Sequence, residues 1–261
     1  MLYTQTVAPE TLELLKRLES EPFMDSFSLA GGTALALYLG HRVSVDLDLF
    51  TPESFDEKQL EFSLRHKYGF QTKFTAQHTL KGTIGGVKID CIAHRYKSLR
   101  PPHMESGLRL YDMEDIIAMK LAAISDDGSR LKDFIDMAFL STRFSLDSML
   151  RCFERKFPFS NVLGPVKGLL YFDDINFGEK VFIPAYEYSW ENIALDSGIC
   201  LCSKTMFSTL HLWPGTKIAG RKKCPKTMIR RVRNTDAEGS VPWRAVISSR
   251  RFWACRESGW R

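Results

Sequence analysis

The chain has 261 residues, of which 44% are hydrophobic, and this is enough to bury the core of one large domain or two small ones. No apolar run approaches the roughly 20 residues that cross a bilayer, and Glu10 and Glu13 break up the pattern that a signal peptide would need. We therefore expect a soluble, cytoplasmic protein. Cys91 and Cys152 stand alone in apolar settings, which favours reduced, buried thiols over disulfides.

The net charge of +5 combines two parts of opposite sign. Residues 1–193 contain 22 Lys and Arg against 27 Asp and Glu, a net charge of −5, whereas residues 194–261 contain 14 against 4, a net charge of +10. Four of the six cysteines and four of the five tryptophans lie in the second part. The spacing of these four cysteines is unlike that of the ligands in a zinc finger or zinc ribbon. We interpret residues 194–261 as an atypical basic tail that is disordered or frameshifted.

The first 100 residues predict a mixed α/β unit. Apolar residues at helical spacing predict helices over 9–19, 33–39 and 56–67, the second ending at Gly40 as a C-cap. Alternating or short apolar runs bounded by turn residues predict the strands. These strands are 27–30, 43–50, 69–75, 79–84 and 86–92.

Arg100-Pro101-Pro102 marks a predicted domain boundary, after which helical patterns dominate. The predicted helices are 112–125, 129–141, 145–156 and 161–172, with Asp112 as the N-cap of the first. The predicted organisation is an α/β domain over 1–100, a helical domain over 101–193 and the tail over 194–261.

Two aspartates stand out on the predicted strand 43–50. Side chains at i and i+2 share one face of a strand, so Asp46 and Asp48 are expected to project together while Val45, Leu47 and Leu49 enter the core. Adjacent carboxylates repel each other unless a cation lies between them, and Mg²⁺ prefers carboxylate, water and phosphate ligands. Asp90, on another largely apolar strand, is a candidate third ligand.

Gly31-Gly32-Thr33 lies at a predicted turn from strand to helix. Backbone N–H groups at a helix N-terminus can hold phosphates, and glycine permits their close approach. A double glycine is by itself usually only a turn, and an Asp-x-Asp is often a loop acid. In this order and spacing, however, the parts predict a two-metal site for phosphoryl transfer, using Mg²⁺ or Mn²⁺ and an NTP.

The sequence resembles the AbiEii/AbiGii nucleotidyltransferase toxins, which belong to the polymerase-β-like superfamily. The resemblance is carried by the segments 27–37, 39–42 and 44–50, and it continues through Asp90, 115–120 and 130–136. It implies a mixed sheet with flanking helices followed by a helical bundle. It also implies the toxin of a bacterial abortive-infection toxin–antitoxin system, with RNA, particularly tRNA, as acceptor and an antitoxin as partner.

The resemblance implies further site residues. It makes Lys120 a phosphate-binding cation, although a lysine in an apolar helical stripe could also be snorkelling to solvent. It makes Asp133 an active-site acid, although Arg130, Asp133 and Asp136 could form an ion-pair network within their helix.

Four further residues are assigned to nucleotide binding. Arg130 belongs to this group. His41 and Arg42 could contact nucleotide or RNA phosphates, or could be surface loop residues without a role. Ser44 should share the face of Asp46, and a phosphate on it would compete for the metal or repel a triphosphate. Full activity of Ser44→Glu would contradict that hypothesis.

Other functions fit the sequence less well. An Asp-x-Asp phosphatase would have small residues after the second Asp, where this chain has Leu49-Phe50, and a P-loop is absent from the sequence. The basic tail suggests a non-catalytic nucleic-acid-binding protein as one alternative. A truncated and inactive nucleotidyltransferase is another, because the tail replaces the family's usual ending.

Overall fold

The computed structural model describes residues 1–183 together with the short segments 186–187 and 230–231. Seven α-helices lie within these residues. Their bounds are α1 Pro9–Glu19, α2 Gly31–Leu39, α3 Glu57–Tyr68, α4 Met113–Asp126, α5 Leu131–Ser141, α6 Leu146–Lys156 and α7 Leu163–Leu170. The ends follow local chemistry, since Asp112 caps α4 by accepting from Glu114 N and Gly40 ends α2 in the left-handed region at φ 68°.

A seven-stranded mixed sheet runs through the described part of the chain, in the order β3-β4-β5-β2-β1-β7-β6. Its strands are β1 Ser28–Leu29, β2 Leu47–Thr51, β3 Gln71–Ala76, β4 Thr79–Ile84, β5 Val87–Ala93, β6 His103–Glu105 and β7 Leu108–Leu110. β2 runs parallel to β5 and antiparallel to β1, and β1 runs parallel to β7. A separate pair, β8 Tyr186–Glu187 and β9 Arg230–Arg231, is antiparallel.

The helical half packs around α4, which contacts α5, α6 and α7. Helix α2 joins the two halves, because it contacts β2 on one side and α4 and α5 on the other. The core is continuous across both halves and contains, for example, Leu35, Leu49, Ile117 and Phe134, all fully buried. Each half therefore buries apolar surface against the other.

The predicted mixed α/β class, with a helical second half, is confirmed. Every predicted element is present, with ends that shift by a few residues, but the predicted strand 43–50 is shorter and forms only over β2, 47–51. Two strands, β6 and β7, were not predicted, and they extend the sheet beyond the predicted boundary at residue 100. The boundary at 193 and the predicted zinc-free, atypical tail concern residues almost all of which lie outside the described ones.

Candidate active site

The double glycine stands where β1 turns into α2. Ala30 N donates to the Asp48 carbonyl oxygen at 2.8 Å, which fixes this turn against β2. Gly31 begins the helix with φ 64°, a left-handed conformation that favours glycine. A Cβ added to Gly31 would overlap the Asp48 carboxylate. The turn thus brings backbone at a helix N-terminus against an acidic side chain, and a larger residue would not fit.

Thr33 holds the loop that leads into β2. Its buried hydroxyl lies 2.8 Å from the Ser44 Oγ and also donates to the Asp46 carbonyl oxygen. Ser44 is 8% exposed, so a phosphate attached to it would have to break this contact. The predicted role of Ser44 as a phosphorylation switch stays a prediction, and so does phosphate binding by Thr33.

Asp48 and Asp90 are direct neighbours on the parallel strands β2 and β5. One Asp90 oxygen, Oδ2, lies 3.2 Å from Lys81 Nζ and 3.2 Å from Lys88 Nζ. The other, Oδ1, is buried and has no hydrogen-bond partner in the described part of the protein. Burial raises the pKa of Asp48, Lys120 opposes the shift, and the charge of Asp90 adds to it. Lys81 and Lys88 thus compensate one Asp90 oxygen, while the buried Oδ1 is left without a partner among the described residues.

Asp46, one of the three predicted metal ligands, does not lie on a strand as the sequence predicted. Asp46 precedes β2 and lies outside it, and Val45 is 53% exposed, so the expectation that Val45 enters the core is wrong. Leu47 and Leu49 are fully buried, as predicted. Within the described residues, no group of three or more Asp, Glu, His or Cys side chains stands in an arrangement that could hold a metal ion.

The Asp48–Asp90 pair nevertheless fits a divalent cation. Carboxylates are the preferred protein ligands of Mg²⁺, and the unpartnered Oδ1 of Asp90 is a buried acceptor without a donor. Each unsatisfied buried acceptor costs free energy that a bound cation would recover.

Lys120 lies between the carboxylates of α5. Its ammonium donates to Asp133 Oδ1 at 2.6 Å and lies 2.7 Å from Asp136 Oδ2, with only 9% of its side chain exposed. Burial lowers the pKa of Lys120, but Asp136 and Asp133 outweigh it and hold the pKa above its usual value. The snorkelling alternative for Lys120 is wrong, because the ammonium is buried and ion-paired.

The alternative network within α5 is also only partly correct. Asp133 pairs with Lys120 of α4, and Asp136 pairs with Lys120 and with residues outside α5, while Arg130 Nε stays 3.7 Å from Asp133 Oδ2 with its side chain 56% exposed. Arg130 is thus free to turn toward a bound anion. Its assignment to nucleotide binding stays a prediction.

His41 and Arg42 are not surface loop residues. They are 0% and 2% exposed, and both contact Asp136, Arg42 through Nε at 2.7 Å and Nη2 at 3.1 Å and His41 through Nε2 at 2.7 Å. Burial alone would raise the pKa of Asp136, but Arg42 and Lys120 hold it well below the usual range. Burial lowers the pKa of His41, which keeps the ring neutral near pH 7.

The buried position of Arg42 explains why residue 32 is a glycine. A Cβ at Gly32 would overlap the Arg42 guanidinium, which fills the space beneath the start of α2. The Arg42–Asp136 pair thereby ties the glycine turn to α5. Phosphate contact by the side chains of His41 or Arg42 would require this pairing to open, so their more direct role is to position the turn.

A second buried ion pair was not anticipated from the sequence. Asp115 accepts from Leu99 N and Arg100 N, each at 3.0 Å, and pairs with Lys156 of α6 at 2.6 Å. Both side chains are fully buried. The Asp115–Lys156 ion pair joins α4 to α6, and the two backbone hydrogen bonds hold the chain at residues 99–100 against α4. Lys156 lies 41 residues from Asp115, so no local spacing could have revealed it.

Comparison with known proteins identifies the family. Over residues 13–100 and 66–196 the sequence matches the family described as "Nucleotidyl transferase AbiEii toxin, Type IV TA system". A relative from Aquifex aeolicus, an uncharacterized protein, is 34% identical over 197 residues, which cover 70% of this chain and 90% of the relative. The chain belongs to the AbiEii nucleotidyltransferase toxin family.

Among solved structures, the AbiEii-family chain is similar to JHP933 from Helicobacter pylori, with 21% identity, a TM-score of 0.46 and coverage of 79% of this chain and 97% of that one. It is also similar to MenT4, a nucleotidyltransferase toxin from Mycobacterium tuberculosis, with 16% identity, a TM-score of 0.36 and coverage of 56% and 65%. These two structures are remote, so the assignment rests on the family match and the Aquifex relative.

Membership agrees with the prediction of a nucleotidyltransferase from a toxin–antitoxin system, and such a system implies an antitoxin as partner. None of the described helices is long and apolar enough to cross a membrane. Two cysteines of the described chain, Cys91 and Cys152, are free and buried, as predicted.

Proposed function

We propose that this AbiEii-family protein transfers a nucleoside monophosphate from an NTP to an acceptor hydroxyl at the Asp48–Asp90 pair. The observation that carries the proposal is the unpartnered, buried Oδ1 of Asp90 beside Asp48, at the foot of the glycine turn. An acidic pair directly below a helix N-terminus offers a cation site next to a phosphate site. Both are needed to bind the triphosphate of a nucleotide.

Each residue then has a distinct task. The backbone N–H groups of Gly31, Gly32 and Thr33 would hold the triphosphate at the start of α2. Lys120, whose charge is the strongest one opposing the raised pKa of Asp48, would neutralise charge that develops on the phosphates. Asp133 keeps the Lys120 ammonium in place through its 2.6 Å hydrogen bond.

Asp46, Asp48 and Asp90 would hold Mg²⁺ or Mn²⁺. Bound there, the metal would stabilise negative charge on the phosphates and make the acceptor hydroxyl more acidic. Asp90 would also accept the hydroxyl proton. The acceptor oxygen would then form a bond to the α-phosphorus of the NTP while the bond to the β-phosphate oxygen breaks, and pyrophosphate would leave.

The acceptor is proposed to be RNA, particularly tRNA, and the cellular effect is growth arrest that the antitoxin relieves. The family match supports the role as a toxin. Support for an RNA acceptor comes from the family resemblance and from the +10 net charge of residues 194–261, which would attract a polyanion.

The proposal is tested by measuring how much labelled nucleotide the protein incorporates into RNA. Full-length protein is incubated with Mg²⁺, each of the four labelled NTPs in turn and total RNA, and the products are separated by size. We expect one nucleotide to label a discrete RNA band. Asp48→Asn should abolish the signal, whereas Asp25→Asn, at a side chain that is 75% exposed, should not.

Two results would contradict the proposal. Equal labelling by Asp48→Asn would mean that the carboxylate pair is not the site of transfer. Failure of the folded wild-type protein to label RNA, protein or small hydroxyl compounds would favour the inactive-enzyme alternative. Label in a protein or small molecule would keep the transferase and replace the acceptor.

A further inference from the structure

A cavity of about 740 Å³ opens between the sheet and helices α4, α6 and α7. This volume is typical of small-molecule sites, which usually lie between structural units and combine apolar walls with a few polar groups. The roles assigned so far do not use it. Its lining includes Phe50, His94, Tyr96, Met119, Phe157 and Asn161.

The cavity begins beside the proposed transfer site. Phe50 is two residues beyond Asp48 on β2, so the two side chains share one face of the sheet, about 7 Å apart along the strand. His94 continues the neighbouring strand four residues beyond Asp90, and its N–H donates to the Thr51 carbonyl oxygen at 2.7 Å. Met119 directly precedes Lys120 on α4. A group attached to a phosphate at Asp48 would therefore reach the cavity.

Aromatic rings form one wall of the cavity. Phe50 stacks on His94 with ring centroids 5.8 Å apart, and Tyr96 meets the edge of Phe157 at 4.7 Å. The Tyr96 side chain is 52% exposed, so much of its ring remains available to a ligand. Exposed faces of aromatic rings are the usual platform for stacking a nucleobase.

The cavity lining contains the charged residues Asp126 and Lys167 together with the neutral polar residues His94 and Asn161. His94 Nε2 is buried and has no hydrogen-bond partner in the described part of the chain. Burial lowers the pKa of His94 to about 4, so the ring is neutral at pH 7. Asn161 accepts from Leu163 N at 2.8 Å through Oδ1, which leaves its NH₂ group free to donate. Neutral donors and acceptors match the edge of a base better than a phosphate.

We propose that this cavity binds the nucleobase of the NTP, with Tyr96 stacking on the base and Asn161 hydrogen-bonding its edge. This inference rests on the proposed function, because it places the triphosphate at the glycine turn. It assigns the choice of nucleotide to residues from both halves of the protein.

The test separates base from phosphate. Binding of each NTP and of inorganic tripolyphosphate to the full-length protein is measured by calorimetry in the presence of Mg²⁺. Tyr96→Ala should weaken binding of the preferred NTP about 5- to 100-fold, the range of one base–aromatic stack, and leave tripolyphosphate binding unchanged. Tyr96→Phe should restore most of the affinity. Phe74→Ala is the matched control, since Phe74 is 53% exposed and lies on β3, away from the cavity.

A second variant addresses the base edge. Asn161→Asp keeps the oxygen that accepts from Leu163 N but loses the NH₂ donor, and it should change the ranking of the four NTPs while tripolyphosphate binding stays constant.

The outcomes are distinguishable. The inference is overturned if Tyr96→Ala affects NTP binding no more than Phe74→Ala does, if it weakens tripolyphosphate equally, or if it weakens only binding of the RNA acceptor. A wild-type protein that binds neither NTP nor tripolyphosphate would remove the proposed function as well. Binding of both, with no effect of Tyr96→Ala, would leave the transferase intact and refute only the base site.

Discussion

Two groups of charged side chains lie on either side of the glycine turn, and they differ in how their charges are satisfied. Beneath the turn, the carboxylate of Asp136 meets Arg42, His41 and Lys120, all of them buried. At the face of the sheet, Asp48 and Asp90 oppose each other, and one Asp90 oxygen has no partner among the described residues. A buried carboxylate whose two oxygens are both paired serves the structure, whereas a buried carboxylate oxygen without a partner points to a ligand.

The largest expected effect separates the two groups by activity. Asp48→Asn should lower the rate of transfer by about 10³- to 10⁵-fold, because it removes a ligand and a charge from the reacting centre. It should not lower the free energy of unfolding, because burial already disfavours the ionised carboxylate and raises its pKa. Label incorporation and urea unfolding would measure both. A large loss of stability would place Asp48 with the structural group instead.

For the Asp136 group we expect the main effect on stability. Asp136→Asn should lower the free energy of unfolding by about 3–5 kcal/mol, because it leaves Arg42 and Lys120 buried without their shared carboxylate. Asp147→Asn, at the i,i+4 pair with Arg151 whose side chains are 39% and 66% exposed, is the control and should cost less than about 1 kcal/mol. Urea denaturation of both variants gives the comparison. Equal, small effects would show that the Asp136 cluster contributes little to stability.

Gly32→Ala tests the link between the two groups. The new methyl group would overlap the Arg42 guanidinium, which is too enclosed to move aside, so we expect a loss of about 1–3 kcal/mol. Gly128→Ala is a fair control, because its Cβ would meet only the Ile124 carbonyl oxygen, at an ordinary 3.5 Å. Thermal unfolding compares the two variants. An unaffected Gly32→Ala protein would mean that Arg42 does not hold the turn.

Glu19 is a buried carboxylate that belongs to neither group, and its effect should be the smallest. It accepts from Arg109 N at 2.8 Å, and burial raises its pKa to about 7. Between about pH 4.5 and 7 the folded state keeps a proton that the unfolded state has released, so the free energy of unfolding falls as pH rises through this window.

Replacement of Glu19 should remove that dependence. At pH 8 the free energy of unfolding of Glu19→Gln should be about 1–2 kcal/mol higher than that of wild type, and at pH 4 the two should be similar. The expected difference at pH 8 is reduced because partial solvent access screens the Glu19 charge. Glu13→Gln, exposed on the same helix, should show no such difference. Urea titrations at both pH values decide the matter, and parallel curves for wild type and Glu19→Gln would refute it.

The sequence predicted those parts of the fold that depend on local chemistry. Helix α1 has the predicted bounds of 9–19, and Asp112 caps α4 as expected, because apolar spacing and capping residues act within a few positions. The hairpin of β6 and β7 was missed because each strand has only three residues. The dipeptide Ser106-Gly107 offered a signal in the sequence, since Ser-Gly is a common turn dipeptide. Both residues have a positive φ in the turn between β6 and β7.

Predictions for the candidate site were limited by distance along the chain. The order of the glycine turn and Asp48 was sufficient to place them together, because β1, α2 and β2 are consecutive. His41 and Arg42 were assigned to phosphate binding, with surface loop residues as the alternative, and their burial against Asp136 was missed because Asp136 is 94 and more residues away. Val45 was placed in the core because the alternating pattern starts before the strand does.

The central position of β1 has a consequence for synthesis on the ribosome. β1 pairs with β2 on one side and with β7 on the other, and the glycine turn that follows it is tied to α5 through Asp136. Until residue 110 has emerged, β1 remains an edge strand, and until residue 136 has emerged, the turn lacks its anchor. A growing chain therefore cannot complete the proposed nucleotide site before the helical half has been made, which would delay the appearance of a toxic activity in the cell that makes it.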